Sequence, residues 1–336
     1  MTDLHRDAVV ADAHNDLLML VARRPKEKWV GYFRDRWIPQ LREGGIDVQV
    51  LPVFIDHEFR PEGALRETLR MIEAAHRIAE GNADQVTLCT TGAELDATVA
   101  AGRIALVLAL EGCAQIDVDL ELLQTMQRLG VRMASFTHFG RSALGDGSGE
   151  DATGSRLTKA GVEAVGLLED LDVLVDISHV GRAGVEHILE LATKPVVASH
   201  SSAFGLHEHH RNLTDEQLRG VAATGGVVCV NFFAGFLTAD KPTVDHLADH
   251  IEYAVQVAGE DHVGLGSDFV QEVFDEKIPA CDRPLIIEGL DAAVMVPGLE
   301  GPAGMPLVTD ALQRRGMPEA TLRKVLGGNL MQLLRR

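Results

Sequence analysis

The sequence predicts an α/β fold, a parallel (β/α)8 barrel of the TIM type, on three observations. Short apolar runs rich in β-branched residues alternate with stretches of helical periodicity; the runs are apolar throughout, as strands covered on both faces are; and most stop at a histidine or a carboxylate. With 336 residues, 46% of them hydrophobic, the chain can bury such a core, and residues 1–336 read as one barrel domain with C-terminal closing helices. An open doubly wound sheet shares the strand and helix string but would scatter its polar strand ends along an edge. A barrel gathers them at one mouth.

The first run, 9–17, is Val-Val-Ala-Asp-Ala-His-Asn-Asp-Leu. Read as a strand through its polar end, it puts His14 and Asp16 on one face with Asp12 beneath them. An imidazole and a carboxylate in that register can grip one divalent ion. Residues 22–40 interleave Trp29, Tyr32, Phe33 and Trp37 with Arg and Lys and read as a long loop, either over an active site or as a plain surface excursion. A strand over 46–55, a helix over 63–80 and a short extra strand at 86–88 follow. Thr91 and Glu94 have capping-box spacing, and 104–110 is an unbroken apolar strand that runs into Glu111.

Strands over 133–137, 173–178 and 195–199 end at His138, His179 and His200, spaced by helices over 120–129, 158–171 and 185–192. The loop after His200 carries His207, His209, His210 and Arg211, whose histidines are expected to be solvated or packed on the loop. Thr214 and Gln217 then open a helix with a second capping box. The strand 227–230 leads to Asn231, a helix over 244–257 follows, and the strand 263–267 ends at Asp268. From Gly289 the chain reads as a loop with helices near 308–315 and 319–334. His57, His76, His187, His246, His250 and His262 are expected on the surface, and Asp12, Asp176 and Asn231 either behind the strand-end residues, supporting them, or as polar residues satisfied within the barrel.

A formal charge of -19 and a pI near 5.1 oppose standing attraction to phosphate backbones or anionic lipid, so neither nucleic acid nor membrane is an expected partner. No basic segment followed by an apolar run opens the chain, and its apolar runs are too short to span a bilayer. A cytoplasmic protein is expected. Cys89, Cys113, Cys229 and Cys281 are scattered without a Cys-x-x-Cys and read as buried free thiols.

At the mouth His14, Asp16, Glu111, His138, His179, His200 and Asp268 converge, a set richer than one zinc ion with an open position needs. It suits two ions roughly 3.5 to 4 Å apart. Glu111 can bridge them, with His14 and Asp16 completing one sphere and His179 and His200 the other. A water shared by the ions, its pKa lowered from about 15.7 towards about 7, would supply hydroxide as the nucleophile, with Asp268 taking the proton and passing it to the leaving amine. Two Zn2+ per chain are expected, with Co2+ or Mn2+ as substitutes.

Asp12-Ala13-His14-Asn15-Asp16, Ala109-Leu110-Glu111-Gly112, Asp176-Ile177-Ser178-His179, Ala198-Ser199-His200-Ser201-Ser202, His210-Arg211-Asn212-Leu213 and Gly264-Leu265-Gly266-Ser267-Asp268-Phe269 together resemble the membrane (renal) dipeptidase family, peptidase family M19 of the amidohydrolase superfamily. The matches run in order along the chain, and Gly327-Gly328-Asn329-Leu330 also fits. The resemblance implies a barrel of the metal-dependent hydrolase type that cleaves free dipeptides, with His14, Asp16, Glu111, His179 and His200 as metal ligands. It further implies that His138 polarises the scissile carbonyl, Arg211 binds the substrate carboxylate and Asp268 handles the proton. Three stretches depart from the family pattern: Val270-Gln271 replaces Asp-Gly, Phe139-Gly140-Arg141-Ser142 lacks the usual asparagine, and Val50-Leu51 replaces an aromatic. These bear on side-chain preference.

A different amidohydrolase reaction, on an N-acyl amino acid, lactone or related ester or amide, is the alternative; a non-catalytic barrel scaffold would not need the ligands and Asp268 together. No lysine stands at a strand end to bridge metals as a carboxylated lysine does in other branches, which favours Glu111 and the dipeptidase. A D-residue at the C-terminal position and a homodimer are left open.

Overall fold

A computed structural model describes residues 2–55, 59–277 and 294–336. His57, Cys281 and the beginning of the stretch from Gly289 lie outside the described residues.

Among the described residues nine strands, all paired in parallel, form the sheet: β1 (Ala11–Asp12), β2 (Val48–Phe54), β3 (Val86–Leu88), β4 (Ile104–Glu111), β5 (Val131–Ser135), β6 (Leu174–Asp176), β7 (Val197–Ala198), β8 (Val227–Val230) and β9 (Val263–Leu265). Eight of them close into a barrel in the order β1-β2-β4-β5-β6-β7-β8-β9, with β9 returning to β1. The extra strand β3 pairs with residues 104–106 at the start of β4, below the point where β5 takes over that edge at 108–110.

Strand alternation sorts the core into two. On β4, Ile104, Leu106, Leu108 and Leu110 pack outward with the helices, while Ala105, Val107 and Ala109 face inward with Ala11, Val48, Val50, Met133, Val197, Val227 and Cys229. Small and β-branched residues fill the narrow interior, and the larger side chains fill the helix layer. Leu330, Met331, Leu333 and Leu334 of the last helix, Asn329–Leu334, join the interior cluster and close the end opposite the mouth. Asn329 Nδ2 donates to the Val263 and Glu260 carbonyls, 2.8 Å each, and a Cβ on Gly327 would stand 2.5 Å from the Val9 carbonyl oxygen.

Both capping boxes form, at Thr91 and Thr214. Cys89, Cys113 and Cys229 are buried free thiols. Among the described residues no helix is long and apolar enough to cross a membrane. Residues 22–40 are not a loop. They are nearly continuous helical turns, Lys26–Lys28, Trp29–Tyr32, Phe33–Trp37 and Ile38–Glu43, and Trp29, Phe33 and Trp37 are buried in the main core. The aromatic spacing of three and four residues is that of an inward helix face, and the interleaved Arg and Lys lie on the other side.

Candidate metal centre

The parity that sends Ala105, Val107 and Ala109 inward sends Glu111 inward as well, at the last residue of β4. The other candidates lie beyond their strands, because the ladders stop early: His14 and His200 are two residues past β1 and β7, and His138, His179 and Asp268 are three past β5, β6 and β9. Strand alternation therefore does not aim His14 and Asp16. The chain turns after Asp12, Asn15 Oδ1 accepts from the Leu17 N–H (3.1 Å), and Asp16 becomes the residue before the helix Leu17–Arg23. His179 and Asp268 adopt left-handed backbone, φ 68° and 55°. Each such residue costs ~1 kcal/mol or more, and such strain collects at functional sites. It is held by Ser148 N–H and Thr137 Oγ1 on the His179 carbonyl (2.7 and 3.1 Å) and by Asp268 N–H on the His14 carbonyl (3.0 Å).

All seven side chains meet. Glu111 Oε1 is 2.9 Å from His179 Nε2, 3.7 Å from His200 Nε2 and 3.8 Å from His138 Nε2, and Glu111 Oε2 is 3.4 Å from His14 Nε2. His14 Nε2 is also 3.8 Å from Asp16 Oδ1 and 3.9 Å from Asp268 Oδ1, and the His179 and His200 Nε2 atoms are 2.8 Å apart. Among the described residues three overlapping groups could each hold an ion: His14, Asp16 and Glu111; Glu111, His138 and His179; and His14, His200 and Asp268. His138 is thus geometrically close enough to be a ligand. Its side chain is 19% exposed, however, against 4% for His179 and 0% for His200, so it faces the opening.

The donor set fits divalent cations. Asp16, Glu111 and Asp268 are buried together with one guanidinium nearby, an arrangement that carries a large desolvation cost unless cations offset it. His14 Nε2 is buried without a hydrogen-bond partner. Burial opposes charge on His14, yet Glu111, Asp16 and Asp268 outweigh it and raise its pKa to about 10, a pull by three carboxylates that a divalent cation at the same place would also feel. Burial drives His179 and His200 far below the usual imidazole value, so both are neutral and can offer lone pairs. The polar atoms behind them fix which nitrogen does so. Ser199 Oγ donates to Asp176 Oδ2 (2.5 Å) and must therefore accept from His200 Nδ1 (2.7 Å), which leaves Nε2 bare towards the centre.

Asp12 and Asp176 are the anchors expected from the sequence. Asp12 takes Ser267 N–H and Oγ, Gln49 Nε2 and His14 N–H at 2.6 to 3.3 Å, and burial raises its pKa to about 6. Asn231 Nδ2 donates to Asp268 Oδ2 (2.9 Å), while Asn231 Oδ1 is pinned by the Phe233 N–H (2.6 Å), leaving Asp268 Oδ1 towards His14. The hydroxyls of Ser199 and Ser267 and the amide of Gln49 escaped sequence reasoning. Gln49 carried a signal, as the lone polar residue in an apolar run.

Arg211 is buried beside this cluster. Its Nη2 donates to the His200 carbonyl (2.9 Å) and Nη1 reaches Ser201 Oγ (3.4 Å), its carbon lies 5.5 Å from the Phe236 ring, and its Nε has no partner. Burial lowers its pKa to about 10, a value at which it is still a cation at neutral pH. The adjacent histidines pack on the loop as expected: His209 accepts from the Arg211 N–H (3.1 Å) and lies against His210 and Phe236, and His210 Nδ1 meets Ser148 Oγ (3.0 Å). Phe54 and Phe139 flank His138, with ring centroids 4.6 and 4.5 Å away, an aromatic lining that the sequence did not single out. His250, expected on the surface, is buried, because both of its ring nitrogens hold backbone groups of neighbouring segments.

A sequence profile of the membrane dipeptidase family, peptidase family M19, matches residues 1–290. The chain belongs to that family. It is 32% identical over 293 residues, 80% of this chain and 70% of the relative, to an uncharacterised dipeptidase of Schizosaccharomyces pombe. It is 28% identical over 272 residues to the dipeptidase verJ of Clonostachys rogersoniana, covering 81% of this chain and 65% of that relative, less than two thirds of its length. Its fold superposes with TM-score 0.85 and 25% identity, over 98% of this chain and 99% of the other, on a metallopeptidase of Rhodobacter sphaeroides solved with a phosphinate mimic of the dipeptide L-Ala-D-Ala. Membership in the membrane dipeptidase family makes the chain a metallo-dipeptidase by class, a hydrolase.

Proposed function

We propose that the whole chain, 1–336, is a binuclear metal-dependent dipeptidase acting on free dipeptides. The observation that carries this reading is Arg211, a buried cation next to the Glu111 cluster that is paired with no carboxylate of the described residues. A cation buried that way is costly unless an anion arrives. The Rhodobacter sphaeroides metallopeptidase was solved with a phosphinate mimic of the dipeptide L-Ala-D-Ala, and a free dipeptide ends in an anion, its C-terminal carboxylate.

His14 and Asp16 would hold one divalent ion, His179 and His200 the other, and Glu111 both, with zinc favoured by the imidazole and carboxylate set and cobalt or manganese as substitutes. When bound, such a pair supplies Lewis acidity and a water acidified towards neutral pH. Asp268, held by Asn231 through Oδ2, has Oδ1 available to take that water's proton and return it to the leaving amine. His138, at the opening, donates to the scissile carbonyl oxygen as charge builds there. The guanidinium of Arg211 keeps N–H groups beyond its two protein contacts, and these grip the C-terminal carboxylate one residue from the cut. A dipeptide presents such a carboxylate one residue past its scissile bond, with a free amine on the other side, and a D-residue at the C-terminal position is compatible with the same grip.

The test compares kcat/KM for dipeptides with L and D second residues, their C-terminal amides, N-acyl amino acids and a lactone. Dipeptides should be cleaved and amides rejected, and Arg211→Ala should lower dipeptide kcat/KM by about 2 to 3 kcal/mol without loss of metal. Equal rates for acid and amide in wild type and Arg211→Ala alike would refute the clamp and shift weight to the other amidohydrolase reactions.

A further inference from the structure

His250 lies in the helix Val244–Ala258 with 1% of its surface exposed and belongs to none of the candidate metal groups found among the described residues. Its Nδ1 accepts from the Ala203 backbone N–H (3.0 Å) and its Nε2 donates to the Leu237 carbonyl (2.9 Å). A backbone N–H can only donate and a carbonyl can only accept, so the ring is fixed as the neutral Nε2–H tautomer. Burial holds its pKa down at about 4, in keeping with that form.

Both partners belong to the frame around Arg211. Ala203 forms the neck of the Arg211 loop: it bridges to Leu213, Phe204 N–H donates to the Leu213 carbonyl, and Leu213 N–H donates to the Ser202 carbonyl, 2.9 Å each. Leu237 ends the short helix Ala234–Leu237, whose Phe236 ring lies against both the Arg211 guanidinium and the His209 ring. Asn212 Nδ2 ties the loop's far side to the Phe236 carbonyl (2.7 Å). Arg211 has no carboxylate to aim it. Its direction is set by the loop that carries it and the ring beside it, and His250 joins those two pieces at their bases.

We propose that His250 is a positioning residue for substrate binding, which sets where the Arg211 guanidinium stands relative to the metal centre by locking the neck of its loop to the Phe236 helix. The proposal rests on the reading of Arg211 as the carboxylate clamp. Losing the imidazole leaves two buried backbone groups unsatisfied, and the neck and the helix then shift to find partners. A clamp that grips the carboxylate equally in the ground and transition states contributes to KM rather than to kcat.

The experiment uses the metal-loaded full chain and measures kcat and KM for one dipeptide, the acid-to-amide preference, and metal content in wild type, His250→Leu, His250→Gln and Arg211→Ala. His250→Leu should raise KM about 10-fold with kcat within about 2-fold, lower the acid-to-amide preference and keep its metal. His250→Gln, whose amide can both accept and donate, should recover most of that loss, which a purely volumetric role would not permit. In the Arg211→Ala background His250→Leu should add nothing further to KM. If His250→Leu does not accumulate as folded protein, His250→Asn, whose shorter amide reaches one backbone group at most, replaces it with the same expectations. An unchanged KM, a fall in kcat alone, loss of metal, or an additive double variant would overturn the proposal. If Arg211→Ala itself leaves KM unchanged, the clamp reading fails and this inference falls with it; a KM effect in Arg211→Ala but none in His250→Leu refutes the positioning role alone.

Discussion

Ser199 shows how little of this centre depends on the ligands alone. Its hydroxyl sits between Asp176 and His200 Nδ1, and it fixes both the tautomer and the plane of the ring. Ser199→Ala removes that acceptor while leaving every proposed ligand in place, so metal affinity should fall by roughly 10- to 100-fold, read by competition with a chelator. Unchanged affinity would mean that the ring is held by packing instead. Asp268 should separate from the ligands in the opposite sense. Asp268→Asn preserves the bond to Asn231 and should keep both metals while kcat falls by roughly 100-fold or more. Loss of metal in that variant would make Asp268 a ligand, which its place 3.9 Å from His14 Nε2 makes a real alternative. The residue identities at the mouth were legible in the sequence because histidine and carboxylate are conspicuous at the ends of apolar runs. The serines and the phenylalanines were not, since hydroxyls and aromatic rings occur throughout any chain and become functional only through the atoms they face; Gln49 stood out only as the lone polar residue of its apolar run.

At the scale of elements, the strands were legible and their ends were not. Apolar runs mark where a strand is buried, but the ladder stops when the barrel opens, and the last two or three residues of each run turn inward as irregular backbone. Glu111 is the exception because β4 extends to the rim. Segment 22–40 was misread for a related reason: aromatic residues spaced three or four apart among charges are an amphipathic helix as much as a polar loop. Close backbone approaches set the rest of the geometry. A Cβ on Gly266 would stand 1.8 Å from the Ser199 carbonyl oxygen and 3.1 Å from Cys229 Cβ, and no side-chain rotation can relieve a clash with backbone. Gly266→Ala should therefore push the end of β7 aside, cost about 3 kcal/mol or more in urea denaturation, and weaken metal binding through Ser199 and His200. A stable Gly266→Ala variant with full metal content would show that the β7 and β9 ends move independently of the centre.

For the molecule as a whole, the barrel divides labour between an apolar interior and a polar rim. The strands' small inward side chains and the last helix seal one end, and the buried acids, imidazoles and Arg211 fill the other. This division was readable from the apolar runs and the polar residues that end them, whereas closure itself depends on pairings such as β9 with β1, far apart in sequence and invisible to local pattern. The central claim is that two ions share Glu111 at that polar end. It is tested most directly by counting metal per chain in zinc-loaded protein freed of excess ion, in wild type and Glu111→Gln, with dipeptide turnover measured on the same samples. The account predicts about two ions per wild-type chain, and loss of metal and turnover together in Glu111→Gln. A fully active wild type with one ion, or a Glu111→Gln variant that keeps two ions and its turnover, would contradict it.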